Sequence, residues 1–351
     1  MDSSLLLTAV GQDSGAVATV EFTDAAAKKV TFTAIVSAAS GTVAPTGSVE
    51  FFDGATSLGT GNSADSTGVG TSTWTIATSS LVAGTHSNIF AVYTATGSFT
   101  GSTAVGITQI VDRLQITGDF TANNKVYDGN TSATVATRFT VGVVSGDKVN
   151  LAGGTASFAS ETVGTNKLVT LVGAFLTGAD SGNYVLGSVD TATADITALH
   201  ITGDFTAANK VYNGNTSATV ATRFTMGTVG GDAVSLTGGT AAFDTANAGT
   251  VKLVTLVGAE LSGIDAGNYV LDSVDTATAD ITKANQTIAW ATPAAITYGD
   301  LLSGSELNAT VEGVSGGSTP GALIYSPAAG TVLLAGNHTL MVTAAATQNY
   351  W

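Results

Sequence analysis

The chain has 351 residues, too many for one ordinary hydrophobic core, and its 44% hydrophobic and 11% charged content belongs to folded modules, not to a disordered chain. A formal charge of −15 opposes a phosphate backbone and an anionic membrane surface, so nucleic acid and membrane insertion are not expected. The absence of cysteine excludes disulfides and cysteine–zinc sites.

Val, Thr, Ala and Gly dominate while the usual helix formers are scarce, which predicts an all-β fold. The start, "MDSSLLLTAV", has no basic n-region, and its apolar run Leu5–Leu7 is too short for a signal peptide. No apolar run approaches membrane-spanning length, so targeting and anchoring segments of an exported protein are expected outside this chain. Residues 1–112 then alternate through "KVTFTAIV", "SVEFF" and "IFAVYTA", with turns at Asp53-Gly54 and around Ala83-Gly84. They read as a first β module.

Next comes a repeat. Ile116–Thr197 and Ile201–Thr282 align without gaps over 82 residues with 20 mismatches, and "NKVYDGNTSAT" returns as "NKVYNGNTSAT" with only Asp128 changed, to Asn213. A fixed period of 85 residues marks an array of modules, each long enough to carry its own core. The mismatches fall at 141, 143, 145, at 148, 150, 152, at 157, 159 and at 175, 177, 179, 181, while Val144, Val149, Leu151, Ala174 and Leu176 are unchanged. Such alternation predicts strands with one held face and one free face, and puts Phe175, matched by Glu260, on the outside. "LQITGDF", "NKVYDG", "SATVATRF", "KLVTLVG", "NYVLGSV" and "TATADIT" read as short strands broken by Gly-, Asn- and Asp-containing turns. No proline interrupts either copy, so each copy is predicted to be an antiparallel β-sandwich.

Residues 284–351 continue as β structure through "QTIAWAT", "ITYGD", "ALIYSP" and "HTLMVTA". The junction "ADITALHITGDF" has no Gly/Ser-rich spacer. The expected domains are 1–112, 113–198, 199–283 and 284–351, tandem Ig-like sandwiches in a rod-like row with restricted hinges.

These stretches resemble known bacterial surface modules. "KVTFTAIVS", "PTGSVEFFDGATSLGTG" and "SSLVAGTHSNIFAVYTA" resemble the bacterial immunoglobulin-like repeats of large surface and secreted proteins. "NKVYDGNTSAT", "LTGADSGNYVL" and "TATADIT" resemble the YDG domain of bacterial adhesins and haemagglutinin-like exoproteins. The last segment, from "QTIAWATPAAITYGD" to "AATQNYW", resembles the MBG-type Ig-like repeats that often follow YDG domains. The resemblance implies an extracellular or cell-surface stalk or spacer in an adhesin or surface fibre. Neighbouring modules or copies of the same protein are the expected partners, and no enzymatic activity is implied. In such modules a further strand follows the Asn-Tyr pair, here Asn349-Tyr350, so the last module is expected to lack its final strand. A strand from a neighbouring molecule in that place would make a filament subunit, the alternative reading. Host or environmental glycans are a third expectation, with Phe175, Trp290 and Trp351 as the aromatic candidates.

Specific chemistry has few candidates. Gly313-Val-Ser315-Gly-Gly317 matches the nucleophile-elbow pattern, but it lies in a Gly/Ser turn, not in a strand–turn–helix context. His86, His200 and His338 fall in different modules. The acidic turns holding Asp180 and Asn183, and Asp265 and Asn268, are candidates for calcium, with Asp190/Asp195 and Asp275/Asp280 as further oxygen donors. Lys125 with Asp195, and Lys210 with Asp280, are the pairs to examine for the covalent Lys–Asp/Asn crosslinks found in some bacterial stalk domains.

Overall fold

The computed structural model describes residues 3–10, 19–21, 30–38 and 41–351. They form strands and two single-turn 3-10 segments, Ser181–Asn183 and Ala266–Asn268, with no α-helix. The chain divides into two compact units, residues 1–125 with 130–195 and residues 126–129 with 196–351.

In the first unit, one sheet runs in the order Ser3–Val10, Val30–Ala38, Thr71–Thr78, Asn62–Gly68. A second runs Thr19–Glu21, Ile107–Asp112, Gly84–Ala95, Gly47–Asp53, Thr56–Thr60, with Ser102–Thr103 paired to Gly84–Ala95. Period-two patterning directs Val30, Phe32, Ala34 and Val36 inward, where Val49, Phe51, Trp74, Ile89, Ala91 and Tyr93 complete the core. Phe32 and Phe51 are fully buried, each worth roughly 2–3 kcal/mol relative to exposure. Asp53-Gly54 makes the hairpin turn to Thr56–Thr60, with Gly54 at φ 55°.

The same unit holds most of the first repeat copy. Its opening strand, Leu114–Ala122, lies between Val135–Val141, antiparallel, and Tyr184–Val189, parallel. Asn150–Phe158 pairs with Gly164–Thr177 and with Ser132–Ala133. The free and held faces inferred from the mismatches are present: Val144, Val149 and Leu151 are buried, and Phe175 is 55% exposed. One part of that reading is corrected. Residues 142–149 are not a strand but an irregular turn, because Gly142 and Gly146 take φ of 94° and 101° and break the ladder. Val144 and Val149 are buried there without a strand.

The second unit repeats the pattern. Leu199–Ala207 lies between Val220–Met226 and Tyr269–Val274, and the other sheet runs Lys210–Val211, Ala277–Thr282, Gly249–Ser262, Ser235–Phe243. Its last segment pairs Thr287–Ala289 with Thr310–Glu312 and Leu323–Ser326 with Met341–Ala344. "ITYGD" is a turn instead of the expected strand: the Asp300 carboxylate accepts the Thr297 N–H at 3.0 Å, and Gly299 sits at φ 100°. A cleft of about 740 Å³ between Trp290, Ile296, Tyr298, Leu302, Leu334 and Leu340 opens beside it.

Single residues join the modules. Arg113 alone separates Ile107–Asp112 from Leu114–Ala122, and Ala198 alone separates Ala192–Thr197 from Leu199–Ala207. Lys283 stands between Ala277–Thr282 and Ala284, which bridges Tyr350 in parallel as Leu199 pairs with Tyr269.

Candidate functional site

Each copy of the repeated loop is built around a tyrosine, Tyr127 or Tyr212. Lys210–Val211 carries the chain along the edge of Ala277–Thr282, and the Tyr212 N–H donates to the Thr282 carbonyl at 2.8 Å. This fixes the backbone and aims the ring away from its own strand. Gly214 follows at φ 78°, turning the chain back. Tyr212 then meets Tyr350 of the last module edge to face, with ring centroids 5.5 Å apart. The Ser318 N–H donates to the Tyr212 hydroxyl at 2.7 Å. Tyr350 is fully buried; its hydroxyl accepts the Val314 N–H at 2.9 Å and donates to the Ser318 carbonyl at 3.1 Å.

The loop "GVSGG" is therefore a cradle around two tyrosines. A Cβ on Gly313 would stand 2.5 Å from the Tyr350 hydroxyl, and one on Gly317 would meet that hydroxyl at 2.8 Å and the Tyr212 ring at 3.2 Å. No helix follows Ser315 and no histidine or carboxylate partner is bonded to it, so its surroundings are not those of a nucleophile elbow.

The same device recurs with Tyr127, since Val126–Gly129 cluster with the second copy. Tyr127 and Tyr269 meet edge to face at 5.5 Å, and both hydroxyls donate to one oxygen of Asp232, Tyr127 at 2.8 Å. Val229 donates its N–H to the Tyr269 hydroxyl at 3.0 Å. Both phenols are pushed above the ordinary tyrosine range, by burial first and by the Asp232 hydrogen bond second. In the first copy Tyr184 donates to Asp147 and accepts from Val144, and burial together with Asp147 raises it to about 12.

The asparagines before Tyr184 and Tyr350 make a second tie. Asn183 Oδ1 accepts the Ala83 N–H of the first module at 2.8 Å. Asn349 Oδ1 accepts the Ala248 N–H at 2.8 Å, while its amide donates to Asn247 and Ser318. Sequence reading missed this pairing, although Asn183-Tyr184, Asn268-Tyr269 and Asn349-Tyr350 form a visible triple recurrence.

The other sequence candidates have structural partners. Asp180 and Asp265 accept the backbone N–H groups of Lys148 and Ala233, Asn268 is buried, and among the described residues no cluster of three or more His, Asp or Glu side chains forms. Asp195 and Asp280 accept the N–H groups of Asn166 and Val251, both at φ 50°. Lys125 Nζ instead reaches Asn130 and lies over Phe158, and Lys210 Nζ reaches Asn213, Asn215 and Ser217 over Phe243, with burial drawing Lys210 downward. Phe175 covers Gly153. Trp290 donates to the Glu306 carbonyl and packs on Tyr325, and Trp351 is exposed under Lys283. His86 is bonded to Asp53 and the Val82 carbonyl, His200 to Asp272 and His338 to the Leu334 carbonyl.

The architecture defines the class: an all-β chain with Ig-like modules, in whose second unit paired tyrosines hold neighbouring segments together. Family comparison gives the particulars, with a YDG domain at residues 112–194 and another at 197–279, and a bacterial Ig-like domain (group 3) at residues 17–112. No curated protein matches the chain. Domains of these two kinds mark a surface-protein module, and no helix of the described residues is long and apolar enough to cross a membrane.

Proposed function

We propose that the chain is a structural stalk segment of a bacterial extracellular adhesin or surface fibre, with no enzymatic activity of its own. The observation that carries this reading is the docked tyrosine. Single-residue linkers set close spacing, and Tyr127 and Tyr212 then hold the next receiving tyrosine by ring contact and hydrogen bonding. A mobile tether needs neither device, whereas a spacer that must resist bending needs both. The acidic surface keeps such a segment soluble and repels like neighbours. In the parent protein, binding would then reside elsewhere, and the chain's partners are its neighbouring modules.

The test is electron microscopy and sedimentation of the purified chain over a concentration series, beside a glycan array. Discrete monomers at every concentration and no saturable glycan binding are expected. Concentration-dependent polymers would replace the spacer reading with a self-assembling filament subunit. Saturable glycan binding would replace it with an adhesive module.

A further inference from the structure

The one residue that distinguishes the two eleven-residue loops changes what the loop can do to itself. Asn213-Gly214 is the one Asn-Gly pair in the sequence, where the first copy has Asp128-Gly129. We propose that Asn213-Gly214 is a self-modification site, at which the main chain deamidates Asn213 and gives the second copy the acid that the first already carries. The inference concerns the chemistry of the junction and stands whether or not the chain serves as a stalk.

The reaction needs only water. The Gly214 nitrogen attacks the side-chain carbonyl carbon of Asn213, its N–H proton passes to solvent base, and ammonia leaves from that carbon. The resulting succinimide ring takes up one water at either carbonyl, giving aspartate or isoaspartate. Glycine suits the attack because no side chain shields its nitrogen. Among the described residues the Gly214 N–H makes no hydrogen bond, and Asn213 is exposed to water.

The fold adds electrophilic help. Lys210 Nζ donates to Asn213 Oδ1 at 2.9 Å, and the Asn215 N–H donates to the same oxygen at 3.3 Å. Negative charge gathers on that oxygen as the nitrogen adds, and these donors are already aimed at it. Lys210 cannot swing away freely, because its ammonium also donates to the carbonyls of Asn215 and Ser217 at 2.7 and 2.9 Å. The product has mechanical consequences. Isoaspartate lengthens the main chain by one carbon beside Gly214, where even a Cβ would come within 3.1 Å of Gly317 and 3.2 Å of Gly316. The aged loop therefore seats Tyr212 less well.

Peptide mass mapping of the intact chain, sampled over weeks at neutral and mildly alkaline pH, tests this. Conversion at Asn213 is expected to outpace Asn215 severalfold and to match or exceed that of a free peptide spanning residues 209–219. An Asn213 that stays an amide while the free peptide converts would overturn the site, because the fold would then protect it. Lys210→Met is expected to slow conversion severalfold, and an equal or faster rate would remove Lys210 from the mechanism. Asp128→Asn installs the same pair in the first copy, which should convert likewise. A first-copy loop that stays inert in this variant while Asn213 converts would overturn the assignment of that help to the shared loop.

Discussion

Val251 occupies a backbone conformation that valine resists. Its φ is 50°, shared with Asn166 at the equivalent place in the first copy. There a β-branched side chain costs roughly 1–2 kcal/mol, whereas asparagine tolerates the left-handed region. The conformation survives because the Val251 N–H donates to Asp280 at 2.8 Å, as the Asn166 N–H does to Asp195. The Val251 side chain is 73% exposed, so replacing it loses little packing. Val251→Asn should therefore raise stability by about 1 kcal/mol, read as a higher thermal midpoint; an unchanged midpoint would mean the backbone relaxes around valine. The buried phenols set a second expectation. Burial and the Asp147 hydrogen bond push Tyr184 up to about 12, and burial with Asp232 pushes Tyr127 and Tyr269 upward as well. A folded-state value above the unfolded one stabilises the fold fully below the unfolded value, and that contribution is lost as pH rises through the folded value. The tyrosine contribution should be constant up to pH 10 and fall as pH approaches 12, followed by thermal midpoints in an alkaline series.

At the scale of the element, the docking loop and its receiver make one structure from distant parts. Asp232 is the shared acceptor of Tyr127 and Tyr269, so Asp232→Ala leaves two buried phenols without their acceptor. The expected cost is about 2–4 kcal/mol, seen as earlier unfolding of the second unit and faster proteolysis near residues 126–129. Gly214→Ala should also weaken docking, since a Cβ there meets Gly317 and the φ of 78° disfavours it. Gly146→Ala is the control, because its Cβ would meet nothing within 4 Å and only the backbone penalty applies. The strands were legible from period-two patterning, and the drift between copies marked the outer face at Phe175. The receivers were not. Asp232 lies 105 residues from Tyr127 and Ser318 lies 106 from Tyr212, and no local periodicity encodes a contact over such a span. Residues 142–149 misled for a related reason, since a turn that buries Val144 and Val149 holds those two residues unchanged without a strand.

Across the whole molecule, duplication and docking make one claim that can be tested by deletion. The two copies keep the docking tyrosine, its glycine, the receiving Asn-Tyr pair and the acceptor aspartate, as Asp147 or Asp232. Mismatches gather instead on free faces and in turns such as 159–163. If each copy is an interchangeable length of stalk, removing residues 116–200, one period of 85, should leave a folded chain. Asn268 would then stand where Asn183 meets the Ala83 N–H, while Tyr212 keeps its place against Tyr350. The shortened chain should melt cooperatively, with a midpoint within a few degrees of the parent, because stability in such arrays is nearly a sum over modules and junctions. Aggregation or loss of cooperative melting would mean that the copies had become specific to their positions. The loop that differs at Asp128 and Asn213 would be the first place to look for that specificity, since it is the part of each copy that touches what comes next.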